Sequence, residues 1–303
     1  MSEGAVPADL PEVSVIVVVH NERERIVDCL RSLEEQIIGS TDVEVVVVDD
    51  GSDDGTPNVV GDSFPNVRLI RKANEGADFS RNRGIEESRG ALIAFIDSDC
   101  VARDGWINTL AEVLRHDPST VVGGRVVHRG PFLRRVVGVA DFGEYQGLRR
   151  REARCLPTCN LALARSTLGG VRFDPKLAAA GGDTVFTETL RRGGATLVYD
   201  PRLEVEHRPA TGFDDLVGRA RRYGESFVRA RKLDHGLRYA GLVRAGVLGV
   251  AAATVGRIVL DWARLVRYRR SAGFSLIEIP AAAVVMAGRR LASLPAATRA
   301  VRQ

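Results

Sequence analysis

Ala91–Cys100 reads ALIAFIDSDC. Six apolar residues, Ala91 to Ile96, run without a break and stop at Asp97-Ser98-Asp99. An apolar run of that length between turn-forming residues suits a strand buried on both faces. Two carboxylates one residue apart at its end raise each other's pKa unless a cation or hydrogen bonds compensate. A divalent ion is the natural compensation, since Mg2+ and Mn2+ favour oxygen ligands. The alternative is a solvated turn built on two aspartates.

Upstream of this strand the same grammar repeats. Val13–Val19 is a β-branched run ending at His20-Asn21-Glu22, and Asn21 is placed to cap a helix whose Ile26, Val27, Leu30, Leu33 and Ile37 fall at helical spacing. Val43–Val48 is a second strand, ending at Asp49-Asp50-Gly51-Ser52, after which Thr56 and Pro57 open a helix as cap and first-turn proline. Val67–Ile70 is a short third strand, and Ala77–Ser88 reads as a helix with Gly90 near its C-terminus. Strands alternating with helices imply an α/β fold, a parallel sheet with helices on both faces. Ligands of such sheets bind beyond the C-terminal ends of the strands. Three polar clusters sit there, and their acidity suits a cation plus a nucleotide. No Gly-x-Gly-x-x-Gly follows the first strand and no P-loop pattern occurs, which argues against a dinucleotide dehydrogenase and a P-loop enzyme.

The 303 residues have a globular composition and a formal charge of +4, unevenly placed. From Gly218 onward there are 17 Lys/Arg against four acids, a net of +13, which leaves −9 on the first 217 residues. An acidic body with a basic C-terminal part suits contact with an anionic partner such as a membrane surface. Aromatics are sparse and not interleaved with the basic residues, which argues against stacking on single-stranded nucleic acid. Cys29, Cys100, Cys155 and Cys159 are too few for a disulfide scaffold, and residues 1–12 lack a signal pattern, so a reducing, cytoplasmic setting is expected. Cys155 and Cys159 have half the spacing of a zinc site, with no second half nearby, and read as structural thiols.

Together, SVIVVVHNE, VVVVDDGSDDGT, GADFSRNRG (Gly76–Gly84) and FIDSD make the first 210 or so residues resemble an inverting glycosyltransferase of family 2, with the GT-A fold. Thr158-Cys159-Asn160, Gly181-Gly182-Asp183 and Asp200 through His207 extend the resemblance. It implies that Asp50 accepts a hydrogen bond from the nucleotide base, with Asp49 beside it either binding or stabilising the turn. It implies that His20 and Glu22 line the base and ribose pocket, and that Arg81 meets the diphosphate or holds the acidic cluster. Asp99, and less directly Asp97, would hold a divalent cation, Mn2+ or Mg2+, that bridges the donor's phosphates as a Lewis acid for the leaving group. His207 matches a histidine that completes the metal site in some relatives, a ligand better suited to Mn2+. Asp183 is the implied general base. Most relatives carry Glu-Asp there, where this chain has Gly182-Asp183. Trp106 is expected to pack below the nucleotide edge.

Residues 1–212 are thus expected to form the catalytic domain and 213–303 a basic, partly apolar helical region. Phe213–Lys232 reads as an arginine-rich helix. Ala245–Gly256 and Gly273–Gly288 are apolar but shorter than the roughly 20 residues a bilayer span needs, and Arg264–Arg270 reads as a basic hinge between them. Peripheral or shallow contact with the cytoplasmic face of a membrane is expected, with packing on the body, a homo-oligomer contact, or a double span in which Arg244, Arg257 and Glu278 snorkel or pair as the alternatives. The resemblance implies transfer of a sugar from a UDP- or GDP-sugar to a hydroxyl of a glycan, a lipid-linked saccharide or a polyprenyl acceptor, in cell-envelope glycan or glycolipid synthesis. A catalytically inactive nucleotide-sugar-binding or scaffold subunit is the alternative, suggested by the missing acid at Gly182. A nucleotidyltransferase is disfavoured, because His20-Asn21-Glu22 supplies no glycine-rich basic loop.

Overall fold

The run within Ala91–Cys100 forms a buried strand, Leu92–Asp97, in the computed structural model of the chain, which describes residues 10–37, 42–177, 181–210, 212–233 and 239–302. Residues 1–9, where a signal pattern was sought, lie outside the described residues. The elements run β1 (Val13–Val19), α1 (Arg25–Ile37), β2 (Val43–Asp49), α2 (Thr56–Ser63), β3 (Arg68–Arg71), α3 (Ala77–Glu87), β4 (Leu92–Asp97), β5 (Cys100–Ala102), α4 (Trp106–His116) and β6 (Thr120–Val127). They continue with α5 (Phe132–Phe142), β7 (Arg151–Glu152), β8 (Asn160–Ala164), α6 (Arg165–Leu168), α7 (Gly182–Arg192) and β9 (Thr196–His207). Four helices follow: α8 (Phe213–Leu233), α9 (Ala240–Arg244), α10 (Gly246–Tyr268) and α11 (Ile279–Arg302).

The strands form one sheet in the order β3-β2-β1-β4-β8-β6-β9-β5, with β7 also against β9. The expected parallel pairing holds for β3, β2, β1 and β4. Beyond β4 the sheet is mixed: β8 runs antiparallel to β4 and β6, while β9 is parallel to β6. The β6–β9 register shifts between Gly124, opposite Asp200, and Arg125, opposite Glu204. Pro201 in the bulged stretch has no N–H to give a ladder. A Cβ at Gly124 would overlap the Leu203 carbonyl oxygen, so only glycine fits there.

Two helix starts differ from expectation. Asn21 does not cap α1: it takes a left-handed φ of 54°, and its Oδ1 accepts the Asp53 N–H at 2.9 Å. It ties the loop after β1 to the loop after β2. At α2 the cap position belongs to Gly55, with φ 85°, and Thr56 already lies in the helix with proline after it. Here the αL turn sets the helix start, and the Thr56 hydroxyl donates to Asp54 at 2.5 Å.

The main core is the sheet's interior packed against α1, α4 and α7. Phe95 of β4 meets Phe173 edge-on at 5.5 Å and Phe186 at 6.4 Å, and the latter two stack at 3.9 Å. This trio fixes α7 against β4, which matters for the site. The basic hinge expected at Arg264–Arg270 does not form, because α10 continues to Tyr268. The C-terminal helices pack on the body. Leu265, Phe274, Ala282 and Met286 share a buried cluster with Val136, Val139 and Ala140 of α5. Arg289 pairs with Asp141 at 2.9 Å, both nearly buried.

Candidate active site

At the C-terminal edge of β2, Asp50 is buried, and its oxygens accept from Lys72 Nζ at 2.5 Å and from the Glu75 and Gly76 N–H groups at 2.9 Å each. Burial would raise its pKa, but these donors win and hold it below the usual carboxylate range. Asp50 thereby organises the loop leading into α3. Asp49 is turned into the sheet, where Oδ1 accepts the Ser52 N–H at 3.2 Å and Arg71 stands 3.8 Å from Oδ2. His20 is exposed beside them, with Nδ1 3.0 Å from the Asp50 carbonyl and Nε2 3.2 Å from Asn74 Nδ2. Glu22 pairs with Arg25, and burial raises its pKa.

Asp99 and His207 are brought together by the pairing of β5 with β9, in which Cys100 lies opposite His207. His207 Nε2 is 3.1 Å from Asp99 Oδ2. Burial would raise the Asp99 pKa, but the hydrogen bond from His207 and the charges of Arg219 and Arg25 outweigh it and hold the group at about 2. Cys100 is the third donor of this cluster. Burial pushes its thiol well above the ordinary range, so in the free protein it keeps its proton. Asp97 is not in the cluster; it pairs with Arg81 at 3.2 Å.

His128 was not legible in the sequence. It follows β6, and its Nε2 lies 2.8 Å from His207 Nδ1. One hydrogen is shared between those nitrogens, so His128 sets the tautomer and ring angle of His207. Gly138 on α5 makes room, since a Cβ there would meet the His128 ring at 2.5 Å. A carboxylate and an imidazole whose far nitrogen is fixed match the donors that Mn2+ accepts.

Across β4 a second acidic group forms. Arg81 donates to Asp78 at 2.8 Å and to Asp97 at 3.2 Å, and its charge also acts on Asp183. Arg81 therefore holds the acidic cluster. Asp183, in the first turn of α7, accepts the Thr184 N–H on Oδ1 at 2.7 Å. Its Oδ2 has no hydrogen-bond partner among the described residues and borders the cavity described below. Burial raises its pKa, against Arg81.

Gly182 explains the missing acid. A Cβ there would overlap the Asp78 carboxylate, which is 3% exposed and has Oδ2 unpartnered. Asp78 of α3 thus fills the space that a side chain at 182 would need. Trp106 is fully buried and donates Nε1–H to Asn160 Oδ1 at 2.8 Å, and Asn160 in turn ties β6 to β9 through the Arg125 and Leu203 carbonyls. Cys155 and Cys159 are free thiols, and Cys155 lies among Leu156, Thr184 and Thr187.

A cavity of about 920 Å³ joins this acidic cluster to the C-terminal helices. Asp183, Asp97, Arg81 and Cys155 line one side, and Tyr223, Arg231, Arg257 and Arg264 the other.

The profile of glycosyl transferase family 2 matches residues 14–171. Glycosyltransferase AglE of Haloferax volcanii is 29% identical over 233 residues, 74% of this chain and 76% of that protein. The putative glycosyltransferase EpsH of Bacillus subtilis is 38% identical over 94 residues, 30% of this chain and 27% of that one. Among solved structures, mannosyltransferase PcManGT from Pyrobaculum calidifontis, in complex with GDP-Man and Mn2+, superposes with a TM-score of 0.58 at 20% identity, over 98% of this chain and 85% of that one. GalNAc-T7 with UDP, GalNAc and Mn2+ gives 0.55 at 16% identity, over 71% and 48%.

Proposed function

The chain belongs to glycosyl transferase family 2, and from that premise we propose that it is a metal-dependent, inverting glycosyltransferase that moves a sugar from a nucleoside diphosphate sugar to an acceptor hydroxyl in cell-envelope glycan or glycolipid synthesis. The observation that carries the reading is the pairing of two half-sites across β4. Asp99 with His207 lies on one side, and Asp183 with a free Oδ2 on the other. His20, Glu22, Asp49 and Asp50 frame the nucleotide end of the sheet edge, with Lys72 reaching the same place.

In this reading Asp99 and His207 hold Mn2+ or Mg2+, the imidazole favouring Mn2+. Such an ion, when bound, supplies Lewis-acid stabilisation of the departing diphosphate. Arg219, on α8, acts on Asp99 through its charge and has no ion-pair partner among the described residues, so it is placed to meet a phosphate oxygen. Arg81 fixes Asp97 and Asp78, which keeps the acidic cluster in one arrangement. Asp183 Oδ2 takes the proton of the acceptor hydroxyl as that oxygen attacks the anomeric carbon from the face opposite the diphosphate. The anomeric centre inverts. A carboxylate whose pKa is raised by burial is a stronger base than an exposed one. Asp78 occupies the space where the acid that Gly182 lacks would lie, which supports the active reading over the inactive scaffold.

The helical region is read as a peripheral membrane contact. α10 has 23 residues and is long and apolar enough to cross a bilayer by length and composition alone. Its faces differ, however. Leu248, Val255, Val259, Trp262 and Val266 are exposed on one side, while Arg257, Asp261 and Arg264 face the protein. A two-faced helix of this kind suits the plane of the interface.

Calorimetric titration of UDP and GDP, each with Mn2+ and with EDTA, tests the donor site. One nucleotide should bind with Mn2+, and both EDTA and Asp99→Asn should abolish that binding. Absence of binding of either nucleotide under every metal condition would sink the assignment.

A further inference from the structure

The cavity holds a charge that the donor chemistry does not use. Arg257 of α10 and Arg231 of α8 sandwich one aromatic ring: their guanidinium carbons lie 4.1 Å and 3.8 Å from the Phe227 centroid. The two cations are therefore at most about 8 Å apart. Arg231 also donates to the Phe227 carbonyl at 3.0 Å. Arg257 has no hydrogen bond and no carboxylate partner among the described residues. The nearby acid cannot serve it. Asp261 is 1% exposed and gives its oxygens to Arg290, at 2.6 Å, and to Arg264, at 3.4 Å. Arg264 is also paired with Glu144. Arg81, Arg191, Arg264 and Arg290 around the cavity thus have carboxylates, and Arg257 faces open volume.

A half-buried guanidinium with a like charge beside it and no carboxylate partner bears a repulsive cost and gains when an anion joins it. Burial, then Arg290 and Arg231, pull the Arg257 pKa well below its ordinary value, which states the same cost in another form. Stacking on Phe227 offsets part of it, and both residues line the cavity. Paired guanidinium edges match phosphate oxygens in shape and charge.

We propose that Arg257 and Arg231 form an oxyanion subsite in the acceptor half of the cavity, which takes a phosphate group carried by the acceptor. This rests on the reading of Asp183 as the base, because Asp183 marks the acceptor half. The phosphate can be borne by a lipid or by a soluble sugar. The shared chemistry is the phosphate ester, and the carrier is what the experiment separates.

The test is calorimetry on the full chain, with and without nucleotide and Mn2+, using two matched pairs of probes: glucose 6-phosphate against glucose, and farnesyl phosphate against farnesol. At least one phosphate should bind more than about tenfold tighter than its neutral partner. Arg257→Gln should remove that preference, Arg257→Lys should keep part of it, and nucleotide affinity should stay within about twofold. Preference for farnesyl phosphate alone assigns a lipid carrier; preference in both pairs assigns the phosphate whatever carries it. Equal binding of charged and neutral probes overturns the subsite, as does an unchanged preference in folded Arg257→Gln. Should Arg257→Gln not fold, the wild-type comparison and Arg257→Lys decide. Phosphate preference without nucleotide binding would overturn the donor reading and leave the subsite standing; nucleotide binding without phosphate preference does the reverse.

Discussion

At the scale of single residues, Asp183 carries the sharpest expectation. Asp183→Asn should cut turnover by about 10²- to 10⁴-fold and leave nucleotide affinity unchanged in the same titration. The base acts deprotonated, and burial raises its pKa. Activity should therefore fall as the pH drops through a value above the ordinary aspartate range. An acid limb within that ordinary range would argue against a buried base. Gly182 and Asp78 form a second test. Gly182→Glu pushes a side chain onto the Asp78 carboxylate and should cost about 1–3 kcal/mol of stability. Adding Asp78→Gly should recover much of it, read as coupling in a chemical-denaturation cycle. Cys155 offers a chemical probe: burial holds its thiol at about 11. Alkylation at pH 8 should be slow, and should speed up as the pH approaches 11. Asp99 stood out because it follows an apolar run, whereas His207 and Asp183 were named through the family resemblance. Asp78 and His128 were not. Asp78 lies inside a helix and matters only because α7 packs over it, while His128 matters only because β6 and β9 lie side by side.

At the scale of elements, β3 (RLIR) is a short, partly exposed strand at the sheet edge. The strands β1, β2 and β4 were readable as β-branched or apolar runs, which buried parallel strands require, broken only by Ser14 in β1 and Glu44 in β2. The second half of the sheet was not, because β8 and β9 enter from opposite directions and β9 carries a proline and a bulge. The apolar stretch Ala245–Gly256, flanked by Arg244 and Arg257, covers only the first half of α10. The structure carries the helix on, because Arg257 turns inward to the cavity. The exposed stripe from Leu248 to Val266 supports an expectation of its own. Val259→Glu should prevent co-flotation with anionic vesicles and leave the unfolding transition in place, since Val259 is 57% exposed. Flotation equal to wild type would remove the stripe from the membrane reading.

At the scale of the molecule, the split between an acidic body and a basic C-terminal part is visible in the sequence, but the joint between them is not. Residues 213–303 share a buried cluster with α5, and Arg289 answers the buried Asp141. A chain cut at 212 should therefore aggregate or lose its cooperative unfolding transition, because it uncovers Val136, Val139 and Ala140 and strands a carboxylate at a cost of about 3–5 kcal/mol. A soluble, cooperatively folding 1–212 fragment would show the helices to be dispensable. One helix, α10, exposes Leu248, Val255, Val259, Trp262 and Val266 on its outer face, and its inner face lines the cavity beside Asp183. If α10 docks on a bilayer and the acceptor lives there, turnover would follow acceptor molecules per area of membrane, not per volume of solution. Adding inert lipid at fixed enzyme and acceptor should slow turnover by surface dilution, whereas a water-borne acceptor would show no such slowing.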